Sequence, residues 1–150
     1  MFSKQNQVSD IIKTKLMETN GKGFMPTLRG APIEFWVSST NFGIETEKLP
    51  NFILEWEHFD EIVRKANQLS GLMYRGDALA QGSGRLGEEI PHDCMEGFIA
   101  KDLLYIEDGV CITRRSTYYS GILAWAGIVT IHRSQGKGSF ITVNPKYRKI

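Results

Sequence analysis

Near the carboxy terminus the apolar period changes, within one short stretch, from that of a helix to that of a strand. Tyr119, Ile122, Leu123 and Ala126 recur at helical spacing, and Gly127 follows where a C-cap glycine would stand. Val129 and Ile131 then alternate with Thr130 and His132, and a second alternating run covers Phe140 to Val143. The glycine-bearing segment Ser134 to Gly138 between the two runs reads as a turn. The pattern predicts a helix over about 114–126, capped by Thr113 or Ser116, and a hairpin over about 129–143.

Charge divides at the same place. From Gly109 to Ile150 there are seven basic residues, Arg114, Arg115, Arg133, Lys137, Lys146, Arg148 and Lys149, and no Asp or Glu. The whole chain of 150 residues has 18 basic and 17 acidic residues, so residues 1–108 carry eleven basic against seventeen acidic. A segment of net charge +7 following one of −6 points to a polyanion-facing end. The acidic part is expected not to bind DNA alone, and to hold a partner or orient the basic part.

Upstream, Val8, Ile11, Ile12 and Leu16 predict a helix from about Ser3 to Glu18, ended by Asn20-Gly21-Lys22-Gly23. Ile33 to Val37 reads as a strand, and Ser38 to Asn51 as a loop punctuated by Asn41, Gly43 and Pro50. Phe52 to Trp56 fits either a strand or the start of the next helix, whose stripe Phe59, Ile62, Val63, Ala66 and Leu69 is clear. Gly76 to Gly87 reads as a loop, Pro91 to Leu104 as a helix with Met95, Phe98, Ile99 and Leu103 inward, and Glu107-Asp108-Gly109 as a turn.

The order helix, turn, helix, glycine, hairpin resembles a winged helix. The residues that carry the resemblance are Arg114-Arg115-Ser116-Thr117-Tyr118-Tyr119, Ile122 to Val129, and Gly136-Lys137-Gly138 leading into Phe140 to Val143. They are similar to the recognition helix and wing of winged-helix domains in bacterial repressors and in restriction enzymes that recognise methylated adenine. The resemblance implies contact with double-stranded DNA through Arg115, Thr117, Tyr118 and Ser120 on the helix and Arg133 and Lys137 on the wing. Arg114 and Ser116 at the helix start, and Lys146 and Arg148 after the hairpin, extend the candidate DNA-binding surface by position and charge. Arginine at a helix start can meet phosphate or pair bidentately with guanine, and a hairpin tip with Lys137 between two glycines can approach the backbone closely.

Other motifs carry less. Gly82-Ser83-Gly84-Arg85-Leu86-Gly87 matches a dinucleotide fingerprint in letters, but no buried strand precedes it and no helix follows. Arg75-Gly76-Asp77 is an adhesion tripeptide by composition alone. No lysine has an acidic residue two positions before it, as a restriction-type nuclease site would require, although Glu34, Glu55 and Glu57 remain candidate ligands. Cys94 and Cys111 have no zinc-ligand spacing and read as reduced thiols. The aromatic group Phe35, Trp36, Phe42, Phe52, Trp56 and Phe59 reads as core, with a pocket for a flipped or modified base as the alternative.

The expectation is an α+β protein with a winged helix in its carboxy-terminal half, residues 88–150, and an α/β extension, residues 1–75, packed on it. Its expected role is sequence- or modification-dependent DNA binding, as a repressor or as the recognition subunit of a restriction system. No catalytic residue, metal or cofactor is assigned. The amino-terminal region is free to meet a protein partner or a second copy. With no apolar run long enough to span a bilayer and no signal-peptide-like start, the expected setting is cytoplasmic, without membrane contact. The alternative is a non-enzymatic interaction or ligand-binding protein, such as a phage-encoded inhibitor.

Overall fold

Helix α1 (Val8–Glu18) buries Val8, Ile12 and Leu16, which follow one another at four-residue intervals on one face. Its first turn is held from outside: the Asp60 carboxylate accepts from Ser9 N at 2.9 Å and from Ser9 Oγ at 2.8 Å. Burial raises the Asp60 pKa, and the two bonds from Ser9 oppose that rise. The computed structural model that places these elements describes residues 7–28, 30–77, 84–133 and 138–149. The expected helical residues before Gln7 lie outside it.

Four strands follow as an antiparallel meander in the order β1-β2-β3-β4: β1 (Lys22–Met25), β2 (Ile33–Val37), β3 (Gly43–Thr46) and β4 (Leu49–Glu55). Strand β2 was expected. Strand β3, the first three residues of β4 and the first two of β1 replace segments expected as turn or loop. Pro50 is compatible with β4 because that strand forms an edge of the sheet, where a missing N–H costs no ladder bond. The register shifts between Ile44 and Thr46, so β3 and β4 do not show continuous alternation.

Chain direction changes at Glu55, and α2 (Trp56–Gln68) begins at once, so the ambiguous run Phe52 to Trp56 is a strand that passes directly into a helix. Phe59, Ile62, Val63 and Ala66 on α2 are fully buried, and Leu69 is half-buried. Strand β5 (Leu72–Tyr74) follows Gly71. Helix α3 (Met95–Phe98) continues as a π-helical segment, Ile99–Leu103. It begins four residues later than Pro91 predicts, because Cys94 is the cap, its Sγ accepting from Gly97 N at 3.4 Å.

Helix α4 (Ser116–Trp125) leads through Gly127 into β6 (Val129–His132) and β7 (Phe140–Val143). Gly127 has φ +78°, and Ile128 N reaches back to Leu123 O at 2.9 Å, closing the helix as its C-cap pattern predicts. Strand β7 pairs with β6 on one side and β5 on the other, giving a three-stranded sheet in the order β5-β7-β6. The fold is α+β. No helix among the described residues is long and apolar enough to cross a membrane.

One hydrophobic cluster draws on both halves of the sequence: Val8, Phe35, Leu54, Phe59, Tyr119, Ile122 and Val143 all belong to it. Burying each such side chain contributes roughly 1.5–3 kcal/mol. Gly121 shows how closely the four-stranded sheet approaches α4, since a Cβ there would stand 2.7 Å from Met25 Sδ. Trp125, one turn on, packs edge to face against Phe35 with ring centroids 4.9 Å apart. A smaller cluster, Leu86, Ile90, Cys94, Ala100 and Ile112, anchors the segment that follows the long loop.

Candidate nucleic-acid interface

The start of α4 is occupied from within the protein. Glu96, only 1% exposed on α3, accepts hydrogen bonds from Arg115 N at 2.9 and 3.0 Å, from Ser116 N at 2.9 Å and from Ser116 Oγ at 2.6 Å. Neither Thr113 nor Ser116 caps the helix. Arg115 is the N-cap residue and makes no side-chain cap bond. Burial raises the Glu96 pKa, with the bonds from Ser116 and Arg115 acting against it. A carboxylate therefore stands where an incoming phosphate would have met the helix N-terminus. An external anion at this end is left to side chains, Arg114 first among them.

Behind this cap lies a second buried charge. The Arg75 guanidinium, 4% exposed, donates from Nε to Ser139 Oγ at 2.7 Å, from Nη1 to Ser120 Oγ at 2.9 Å and from Nη2 to Asp77 Oδ2 at 3.1 Å. Ser139 Oγ passes its own hydrogen to Asp77 Oδ1 at 3.1 Å, and Ser120 Oγ donates to Ser116 O at 2.6 Å. Burial lowers the Arg75 pKa, Asp77 and Glu96 raise it, and Arg114 is near enough to lower it further. Arginine stays charged through such shifts. The end of β5, the middle of α4 and the tip end of the β6–β7 hairpin are thereby tied to one side chain. In the sequence Arg75 and Asp77 stand out only as a charged tripeptide beside a loop, and nothing marks Glu96 or Ser139.

Of the residues expected to touch DNA, two are corrected outright. Ser116 and Ser120 are fully buried and spend their hydroxyls on Glu96 and on Arg75 and the helix backbone. No side chain from Ser116 to Trp125 is exposed; Thr117, Tyr118, Ala124 and Trp125 are half-buried. The physical reason is twofold: Glu96 and Arg75 cover the flank bearing Ser116 and Ser120, and the four-stranded sheet lies along the flank bearing Tyr118, Gly121 and Trp125. Tyr118 Oη donates to Lys48 O in the β3–β4 turn at 3.3 Å, and burial raises the Tyr118 pKa.

Arg114 is exposed, whereas Arg115 is half-buried with its guanidinium 4.9 Å from the centre of the Phe52 ring and, among the described residues, its Nε without a hydrogen-bond partner. Arg133 is exposed at the tip end of the hairpin, where His132 pairs with Phe140, and its Nη2 donates to Leu28 O at 2.8 Å. Lys146 and Arg148 are also exposed, but they follow the open end, where Val129 pairs with Val143. Arg148 Nη2 donates there to Ser70 O at 2.7 Å. One strand length, about 13 Å for four residues, separates the two basic groups. Lys137 lies outside the described residues.

The remaining candidates separate by burial. Phe35 and Phe59 are core, Trp56 is nearly so, Trp36 and Phe52 are half-buried, and Phe42 is 69% exposed. Cys94 and Cys111 are free thiols, the first buried and the second exposed. Among the described residues no group of three or more His, Cys, Asp or Glu side chains is placed to hold a metal ion. Compared with protein-family models, curated proteins and solved structures, the chain matches none.

Proposed function

We propose that this protein binds double-stranded DNA with the surface formed by the start of α4 and the tip end of the β6–β7 hairpin, as a repressor or as a recognition subunit of a restriction system. The observation that carries this reading is the element order α2, β5, α3, α4, β6, β7, in which the hairpin joins β5 in one sheet on a stretch lacking any acidic residue from Gly109 onward. That order agrees with a winged helix. Because the middle of α4 is covered, the contacts are assigned to Arg114 and Thr117 at its start and to Arg133 on the hairpin; Lys137, expected to add a contact, lies outside the described residues. Lys146 and Arg148 form a separate phosphate contact. A protein partner or second copy would meet the amino-terminal region, and a cytoplasmic setting accords with the two free thiols.

The test is a fluorescence-anisotropy titration against methylated and unmethylated duplexes at two salt concentrations. Phosphate contacts release counterions, so affinity should fall steeply with salt. Absence of binding to every duplex at low salt would remove the proposal. A second reading, a protein-interaction module such as a phage-encoded inhibitor, is favoured by the absence of exposed side chains on α4.

A further inference from the structure

Away from the basic surface, the junction of β4 with α2 and the π-helical segment enclose a cleft of about 570 Å³. Glu55, Glu57 and Glu61 line it from one wall and Asp102 from the other, with Tyr105 beside them. No lysine or arginine is among its lining residues. Glu61 has a partner, Arg64, one turn along α2. Glu57 and Asp102 are both exposed and have no hydrogen-bond or ion-pair partner among the described residues. A depression of about 400 Å³ adjoins the cleft, sharing Glu55 and Glu57 and adding Phe42 and Trp56.

His58 contributes a second kind of observation. Its side chain is buried, 8% exposed, yet it lines the cleft. Nδ1 lies 2.9 Å from the hydroxyl of fully buried Tyr119. That hydroxyl has no other acceptor among the described residues, so it donates to Nδ1 and leaves the imidazole proton on Nε2. Among the described residues Nε2 finds only Glu55 Oε1, at 4.0 Å, beyond hydrogen-bond distance. Burial lowers the His58 pKa, so at neutral pH the ring supplies no cation to the surrounding carboxylates.

Aromatic side chains complete the surface. Tyr105, on the cleft, is 82% exposed, and Phe42, on the adjoining depression, is 69% exposed, so each leaves a ring face open beside carboxylates. Carboxylates attract an ammonium or guanidinium, and the faces of aromatic rings do the same. The chain already pairs a cation with a ring at Trp56, where Lys13 Nζ lies 5.0 Å from the ring centre. Phosphate is excluded by the same carboxylates.

We propose that this cleft is a docking site for a basic segment of a protein partner, with an arginine or lysine side chain inserted between Glu57 and Asp102 and its neighbours lying across Tyr105 and Phe42. The site is independent of the DNA-binding surface. Both depressions fall within the size range of ligand sites, and their shared wall of Glu55 and Glu57 favours an extended occupant over a single small amine.

An acetylated tetra-arginine amide is the probe, titrated into the full chain by calorimetry and followed by tryptophan fluorescence through Trp56. Saturable one-to-one binding is expected. It should weaken about tenfold in Glu57→Gln with Asp102→Asn, as two partly exposed charge pairs allow, and also weaken in Tyr105→Ala. The double variant should keep its duplex affinity, which separates this test from that of DNA binding. Glu18→Gln with Glu88→Gln, which alters exposed carboxylates elsewhere, should leave peptide binding unchanged. Circular dichroism verifies folding of every variant. Non-saturable binding, or equal weakening by the Glu18 and Glu88 changes, overturns the site. Self-association abolished by the double variant, in a chain that binds no peptide, overturns the occupant in favour of a second copy.

Discussion

The Glu96 carboxylate and Ser116 meet across twenty residues of sequence, with Ser116 Oγ donating to Glu96 Oε2 at 2.6 Å and Ser116 N donating to the same oxygen at 2.9 Å. A helix start that could have received a phosphate is thus satisfied internally. Glu96→Ala leaves the amides of Arg115 and Ser116 unpaired and buried. The expected loss is about 3 kcal/mol, combining a lost cap with unsatisfied donors. Urea denaturation measures it, and a loss below 1 kcal/mol, at the low end of ordinary cap effects, would mean that α4 is held otherwise.

Glu96 also gives stability a direction with pH. Its pKa is raised from the ordinary 4.5, so the folded state retains a proton that the unfolded state releases. This contribution is complete below 4.5 and is lost as pH rises through the folded value. Denaturation midpoints of wild type minus Glu96→Gln should therefore fall with rising pH over that window. A difference that rises over the same window contradicts the assignment.

His58 acts in the opposite sense. Its pKa lies below the ordinary 6.5 because of burial, while Glu55, Glu57 and Glu61 pull it upward. Asp102 across the cleft and Tyr119 beneath complete its titratable surroundings. The unfolded chain takes up the proton first, so stability is present above 6.5 and lost as pH falls through the folded value. His58→Gln should remove that fall from a series of thermal melts. Identical profiles for the two proteins would contradict it.

Arg75 is expected to behave as the hub of a coupled network. Removing one partner of a buried, hydrogen-bonded charge pair costs about 3–5 kcal/mol, and Arg75→Ala should fall in that range. Ser139→Ala should cost less and combine non-additively with Arg75→Ala, by at least ~0.5 kcal/mol in a double-mutant cycle. Additive losses would show that the tip end of the hairpin is held independently of Arg75.

Gly121→Ala tests how tightly the four-stranded sheet covers α4. Alanine gains about 1 kcal/mol over glycine in a helix, while overpacking against a fully buried side chain costs about 1–3 kcal/mol. Met25 Sδ at 2.7 Å from the new methyl, with Cβ and Cγ at 3.1 and 3.2 Å, makes the second effect larger. The substitution should destabilise wild type and stabilise Met25→Ala. Stabilisation in both backgrounds would mean that the sheet stands further from α4.

The elements with long periodic stripes were legible: α1, α2, α4 and the hairpin follow directly from apolar spacing, and Gly127 marked the end of α4. Strand β1 was not, because it begins within Asn20-Gly21-Lys22-Gly23, which reads as a helix stop, and the three residues of β5 are too few to establish a period. The bulge between Ile44 and Thr46 and the edge proline in β4 concealed two more strands. At the candidate site, Arg114 and Arg133 could be read as exposed cations from charge alone. Burial of Ser116 and Ser120 could not, since it depends on Glu96 and Arg75, which arrive from distant sequence. A small polar face on a helix looks the same whether it awaits a ligand or packs within the protein.

DNA binding by the start of α4 and the hairpin is tested most directly by the salt dependence of duplex affinity in wild type and in Arg114→Ala with Arg133→Ala. Each phosphate contact contributes about 0.9 to the slope of log affinity against log salt, so two lost contacts should make the slope shallower by about 2. Anisotropy titrations over a range of salt, with circular dichroism to verify folding, give both slopes. A shallower slope in the double variant is the expected result. Equal slopes, or an affinity insensitive to salt in wild type, would contradict DNA binding by this surface.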